Sequence, residues 1–390
     1  MKKPISKMLA IILILSLLVG CGTESNKGNE NEVKIGINYE LSGGVSSYGQ
    51  QSVDGIMMAF DEINANGGIN GKQIVPVKID NKSEPGEATS VATRLMTQEN
   101  VAACLGPATS GNFMATIPVA MQNKIPVISS SATADDGVTV EKDGTLNEYV
   151  FRTCYTDAFQ GVTLANFALN NLNAAKAVII QDNSSDYGKG LGKNFTETFE
   201  AAGGQIVALE GYVKNDKDFN AILTKIRNTD FDVIFIPGYY EEAGLIIKQA
   251  RDLGINAPIL GADGFGAPEL TELAGAENLT DVYFSNHYSS LGDNSKVEEF
   301  VEAFQAKYNG NEPSAFNALG YDLGYFIADA IERAGSTDPV QIKDALKATV
   351  DFDGVTGKVT VGEDHNALKS AFVVELENGI QVSSVQVDPQ

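Results

Sequence analysis

Two stretches set small hydroxyl side chains directly after short apolar runs. Val101–Leu105 leads into Pro107-Ala108-Thr109-Ser110-Gly111, and Ile125–Ile128 leads into Ser129-Ser130-Ser131-Ala132-Thr133. The hydroxyls of Thr109, Ser110 and Thr133 are donors, and small neighbours let main-chain N–H groups come close to a ligand. A helix starting in such a loop adds partial positive charge. Together these groups suit a carboxylate. Their plainer role is helix capping, which Ser and Thr often perform; two such loops on consecutive strands favour a site. A further apolar run, Pro258–Gly261, ends in Ala262-Asp263-Gly264. The Asp263 carboxylate can accept from an ammonium in a charge-assisted bond, or it can cap the short helix that follows.

Other chemistries lack their residues. The two histidines, His287 and His365, stand in no metal-ligand spacing; a surface or hinge place is expected for each. There is no G-x-S-x-G elbow and no Cys–His pair with an orienting partner. The glycine-rich run Tyr187–Lys193 fails the phosphate-loop spacing, and Asn194 stands where that loop needs Ser or Thr. Asp182–Asp186 has a calcium-loop look but carries Tyr187 where the loop needs glycine. No redox or nucleotide cofactor is implied, and a binding role is expected rather than an enzymatic one.

The loops need strands to end on and helices to start. Between the first two apolar runs, Gly111–Asn123 has helical character, so the stretch reads as one β-α-β unit with parallel strands. In open parallel sheets ligands bind at the carboxyl ends of strands. Ahead of it come strand Val33–Asn38, loop Tyr39–Tyr48, helix Gly49–Ala65, strand Gln73–Ile79 and an amphipathic helix around Ala88–Met96. This alternation is a doubly wound lobe. Tyr149–Thr156 leads away and the alternation restarts: helix Asp157–Leu172, then strands Lys176–Ile180, Gln205–Leu209, Asp232–Ile236 and Pro258–Gly261 with helices between. From Asp281–Asn286 onward three helices follow without strands, and they are expected to cover the first sheet. The tail alternates as strands Gly357–Val361 and Ala371–Glu377 around Gly362–Asn366. The chain then crosses between lobes near Arg152–Cys154, Phe284–Asn286 and Asp351–Gly354. The expected lobes are 33–153 with 286–352, and 154–285 with 353–390.

At 390 residues, 43% hydrophobic and 20% charged, the chain has ordinary globular composition. The first twenty residues hold Lys2, Lys3, Lys7 and no acid, so losing those three charges takes the net from −23 to −26. So acidic a balance excludes nucleic acid as the expected partner, since that binding rests on Lys and Arg. The basic start and the apolar run Met8–Val19, too short to span a bilayer comfortably, describe an export signal, 1–20. The run closes on Leu18-Val19-Gly20-Cys21, which resembles the bacterial lipoprotein cleavage box and implies lipid on Cys21. Ser25–Glu32 reads as a polar tether within 21–32. Cys104 and Cys154 remain, and two buried thiols are expected rather than a disulfide.

These residues resemble the amino-acid-binding lipoproteins of bacterial ABC importers, in particular the leucine/isoleucine/valine branch of the type I periplasmic-binding-protein fold. The marks are DEINANGGINGKQI at Asp61–Ile74, GPATSG at Gly106–Gly111, SSSAT at Ser129–Thr133, DYGKG at Asp186–Gly190, PGYYEEAG at Pro237–Gly244 and GADGFG at Gly261–Gly266. The resemblance implies an α/β fold of two Rossmann-like lobes, each a mostly parallel sheet flanked by helices, closing on a ligand about a three-segment hinge. It places Ser110 on the ligand carboxylate, with Thr133 and the main chain of Ser131 nearby. It puts Asp263 on the ammonium and has Tyr187 and Tyr239 close over the ligand. Tyr48, Ala108, Ala132 and Phe316 fall at the side-chain pocket. Some relatives carry Glu where this chain has Asp263, and the shorter arm implies a shifted or water-assisted contact. The partners implied are an aliphatic amino acid, a membrane permease and a lipid anchor on the extracytoplasmic face, for a protein expected to be monomeric. A ligand sensor domain of the same fold is the alternative.

Overall fold

In a computed structural model the described residues are 31–291 and 294–389. The export signal, Cys21 and nearly all of the tether lie outside them. Glu32, expected as the tether's last residue, already begins a strand.

The first sheet joins β1 (Glu32–Tyr39), β2 (Gln73–Asp80), β3 (Ala103–Leu105), β4 (Val127–Ser129) and β5 (Val150–Arg152) in the order β2-β1-β3-β4-β5. All its pairs are parallel, with Ile35 opposite both Pro76 and Ala103. The connecting helices are α1 (Ser46–Ala65), α2 (Pro85–Thr97), α3 (Ser110–Met114) and α4 (Ile117–Asn123). The helix expected over Gly111–Asn123 is thus two. Pro118 lies in the first turn of α4, where its missing N–H costs nothing, whereas inside one continuous helix it would break the ladder.

The second sheet has the order β15-β14-β10-β9-β8-β6-β7. Its parallel part is β6 (Lys176–Asp182), β7 (Gln205–Tyr212), β8 (Val233–Ile236), β9 (Ile259–Gly261) and β10 (Val282–Asn286). Around it lie α5 (Asp157–Asn170), α6 (Asp186–Ala201), α7 (Asn220–Ile226), α8 (Tyr240–Asp252) and α9 (Glu269–Ala274). Every residue of β8 is buried, as suits a strand covered on both faces.

The three late helices are α10 (Ser295–Lys307), α11 (Ala315–Ala334) and α12 (Pro339–Lys347). Ser314 and Asn317 form a capping box at the start of α11, and Gly335 ends it at φ 60°. α11 runs parallel to α1 at close range. A Cβ on Gly55 would sit 2.0 Å from the Asn317 carbonyl, and one on Gly320 would sit 2.0 Å from that of Ser52. Glycine is therefore what brings the N-terminal ends of the two helices, and with them Tyr48 and Phe316, together.

The tail divides differently from expectation. β11 (Phe352–Gly354), β12 (Gly357–Val361) and β13 (Ala367–Leu368) form a small sheet of their own. β14 (Ala371–Glu377) and β15 (Ile380–Val387) add antiparallel strands to the second sheet beyond β10. Gly357–Val361 and Ala371–Glu377 thus belong to different sheets. The small sheet leans on the first lobe. His365 Nδ1 lies 3.1 Å from the Val150 carbonyl, and the His365 ring stacks on Phe151 at 4.2 Å. Val355 and Thr356 N–H groups donate to Asp322 of α11 at 2.7 and 2.8 Å. The third crossing, expected at Asp351–Gly354, accordingly falls at Lys369–Ser370. Lys369 is buried there, its ammonium donating to Thr356 Oγ1, and burial brings its pKa down to about 8. Cys104 and Cys154 are both buried free thiols. No helix among the described residues is long and apolar enough to cross a membrane.

Candidate functional site

The loops after β3 and β4 are stitched to each other. Ser131 Oγ donates to the Ala108 carbonyl at 2.9 Å, Ser129 Oγ donates to the Pro107 carbonyl at 2.7 Å, and Ser110 Oγ accepts from Ala134 N–H at 3.2 Å. Gly106 turns the first loop at φ +79°, where a Cβ would meet the Asn38 carbonyl at 2.4 Å.

Behind that loop stands Glu40, wholly buried just after β1. Its carboxylate accepts from Ala108 N–H at 2.9 Å, Thr109 N–H at 3.1 Å, Thr109 Oγ1 at 2.8 Å and Asn112 Nδ2 at 2.8 Å. The donors of Thr109, expected to face a ligand, therefore grip an internal acid. Ser110 bridges the two loops while its own proton stays available. Thr133 Oγ1 is buried without a hydrogen-bond partner.

The opposite wall comes from the second sheet. Asp263 follows β9 and opens a single 3-10 turn, Asp263–Phe265. It is 3% exposed, and it does not cap that turn. Oδ1 accepts from Tyr187 Oη at 2.7 Å and from Gln160 Nε2 at 3.2 Å, and Oδ2 lies 3.0 Å from His287 Nε2. Tyr187 reaches it from the first turn of α6, a helix capped by Ser185 accepting from Gly188 N–H at 2.9 Å. The Tyr187 hydroxyl also accepts from Gly264 N–H at 3.0 Å. The Tyr187 and Tyr239 rings stack in parallel, 4.9 Å apart and 3° from coplanar. Gln160 Oε1 takes the Ser285 hydroxyl at 2.7 Å, and its amide also reaches Asp157 Oδ1 at 2.8 Å.

Charge in this corner is unbalanced. Asp157 is wholly buried, and its Oδ2 has no partner. Burial, with the negative charges of Asp135 and Asp263, holds its carboxyl well above the usual range. Burial pushes His287 below its ordinary value, outweighing the pull of Asp263. The neutral ring stacks on Tyr155 at 3.9 Å. His287, expected at a surface or hinge, is thus a buried hinge residue at the end of β10. His365 is buried as well, on the first lobe.

Between the walls, Tyr48, Ala108, Thr109, Ser110, Ser131, Tyr187, Tyr239, Asp263, Gly264 and Phe316 enclose a void of about 10 Å³. Ala132 and Thr133 sit on the loop behind and do not line it. Tyr48 crosses the gap from α1: its hydroxyl donates to the Gly264 carbonyl at 2.5 Å and accepts from Tyr240 N–H at 3.1 Å. Tyr240 returns a bond to the Gly44 carbonyl at 2.8 Å, and Asn194 joins Asp135 at 2.7 Å. The lobes therefore stand closed on each other. A ligand larger than water enters only if they part and the Tyr187–Tyr239 stack shifts.

Sequence reasoning missed Glu40, Asp157, Gln160 and His287. Glu40 had a signal, an acid directly after an apolar strand, as at Asp263. Asp157 and Gln160 share the first turn of α5 at i, i+3, which puts them on one face.

The model of a family described as periplasmic binding protein matches residues 32–381. The structure is similar to that of LivJ, a branched-chain amino acid transporter substrate binding protein from Streptococcus pneumoniae crystallised with isoleucine. The two share 44% identity and a TM-score of 0.86 over 92% of this chain and 100% of that one. It is also similar to a leucine binding protein, LivK, from Thermotoga maritima, at 36% identity and TM-score 0.85 over 92% and 99% of the respective chains. A Leu/Ile/Val-binding protein, BraC3, from Rhizobium johnstonii is 32% identical across 87% of this chain and 90% of its own. The chain belongs to the periplasmic binding protein family, with the two-lobed type I architecture of the solute-binding subunits of ABC importers.

Proposed function

We propose that this chain captures an aliphatic, branched-chain L-amino acid between its lobes and delivers it to the permease of an ABC importer. The observation that carries the reading is Asp263. It is almost wholly buried in the second-lobe wall, facing the hydroxyl loops of the first lobe across the void. Ser110, Thr133 and the main chain of Ser131 take the carboxylate, and Asp263 takes the ammonium. Tyr48, Ala108 and Phe316 surround the side chain, with Ala132 behind them, and Tyr187 and Tyr239 close over it. Thr109 contributes shape, since its donors serve Glu40.

The role is binding without a chemical step. An open form samples closure, and a ligand favours the closed form because only there do both lobes touch it. A monomer anchored by lipid on Cys21 would present that closed form to the membrane. Cys21→Ser should abolish incorporation of labelled fatty acid into the protein.

Calorimetry with leucine, isoleucine and valine tests the ligand class. Heat with these and none with glutamate or lysine is expected; heat only with an acidic or basic amino acid overturns it. Native mass spectrometry of the protein as purified gives a second test, through the mass of any retained ligand.

A further inference from the structure

Arg152 ends β5 at the first crossing between lobes and is wholly buried. Its Nη1 donates to the carbonyls of Ala132 at 3.0 Å and Ala134 at 2.7 Å, and its Nε donates to Asn366 Oδ1 at 2.7 Å. Nη2 has no partner. None of the groups it touches carries a charge, although a buried guanidinium ordinarily meets a carboxylate. Asn366 Oδ1 also accepts from Thr139 Oγ1 at 2.7 Å, so the anchor ties Arg152 to the segment just ahead of the third crossing.

The two carbonyls flank Thr133. In a trans peptide C=O and N–H point opposite ways, so drawing the Ala132 carbonyl back to Arg152 turns the Thr133 N–H to the other side. The Thr133 hydroxyl, on the same loop, is buried beside the Asp157 carboxyl. Ser131, two residues earlier, lines the void.

We infer that Arg152 is a positioning residue for the carboxylate of the ligand: it pins residues 132–134 so that the Thr133 N–H is presented to the cleft, and its guanidinium, hydrogen-bonded only to neutral groups, stands behind that loop. The inference rests on the reading that the cleft takes an amino-acid carboxylate. It adds a long-range preference for an anionic group that no side chain in the void supplies. It also makes the loop's shape depend on Asn366, far along the chain.

The test uses leucine calorimetry together with hydrogen exchange on the full mature chain. Arg152→Met should weaken leucine at least tenfold and speed exchange within residues 131–135, with β14 unchanged. Arg152→Lys should recover part of the affinity. Asn366→Asp sets a carboxylate against Nε while leaving the Nη1 bonds in place, so leucine should weaken at least threefold with exchange at 131–135 still slow. The inference is overturned if Arg152→Met folds and binds leucine within threefold of wild type. It is equally overturned if its loss comes with exchange speeded across the whole first lobe and no recovery by lysine. Should Arg152→Met not fold, Asn366→Asp decides, and unchanged leucine affinity there overturns it. Failure of the wild type to bind any amino acid would instead remove the reading beneath it, and the inference with it.

Discussion

His287 Nε2 and Asp263 Oδ2 lie 3.0 Å apart, with both side chains almost wholly out of water. Nδ1 of the same ring has no partner, so the hydrogen-bond network assigns the proton of the neutral ring to Nε2. Asp263 thus accepts from an imidazole N–H, a tyrosine hydroxyl and an amide, which fix its geometry. A protonated His287 would compete for the Asp263 carboxylate with any ligand cation.

Burial holds His287 below its ordinary value of 6.5, so the unfolded chain takes up this proton first. The stability this group supports is complete above about 6.5 and is lost as pH falls through the folded value. Urea unfolding from pH 7.5 to 5 should show stability falling, with a shallower fall in His287→Gln. Identical slopes would count against it.

Asp263→Asn should cost leucine affinity roughly a hundredfold, about 3 kcal/mol, because a charge-assisted contact becomes a neutral one in a dry site. The thermal transition of the ligand-free protein checks that the fold survives. N-acetyl-leucine, which has no ammonium, should show no such difference between the two proteins.

Tyr48→Phe removes one hydroxyl that both donates and accepts across the lobes. At about 1 kcal/mol for each of the two bonds, leucine should weaken roughly thirtyfold. Small-angle scattering should then show a larger mean radius at subsaturating leucine. An unchanged affinity would mean the bridge contributes nothing to closure.

Glu40→Ala leaves the N–H groups of Ala108 and Thr109, and the Asn112 amide, without their acceptor in a buried place. Urea unfolding should show a loss of about 3 kcal/mol. A loss under about 0.5 kcal/mol would show that the loop finds other acceptors.

The hydroxyl loops and Asp263 were legible because each follows a short apolar run, and in a parallel sheet the ends of such runs meet at one edge. Gln160 and His287 were not legible. They reach Asp263 from 103 and 24 residues away in sequence, and the bonds that place them exist only once the second sheet is assembled. Periodicity misjudged Gly111–Asn123 because one proline restarts the helix without changing its apolar spacing. The tail misled for a similar reason: alternation shows that a segment is a strand but does not name its neighbour. The pairing of β12 with β11 and β13 is set by contacts with Val150, Phe151 and Asp322, which lie far off in sequence.

β1 lies inside the first sheet, held by β2 on one side and β3 on the other. A mechanical load arriving along the chain from before residue 31 would pull this strand lengthwise against two neighbours at once, rather than peel away an edge. Slipping β1 would mean breaking both of its hydrogen-bonded ladders together, one to β2 and one to β3.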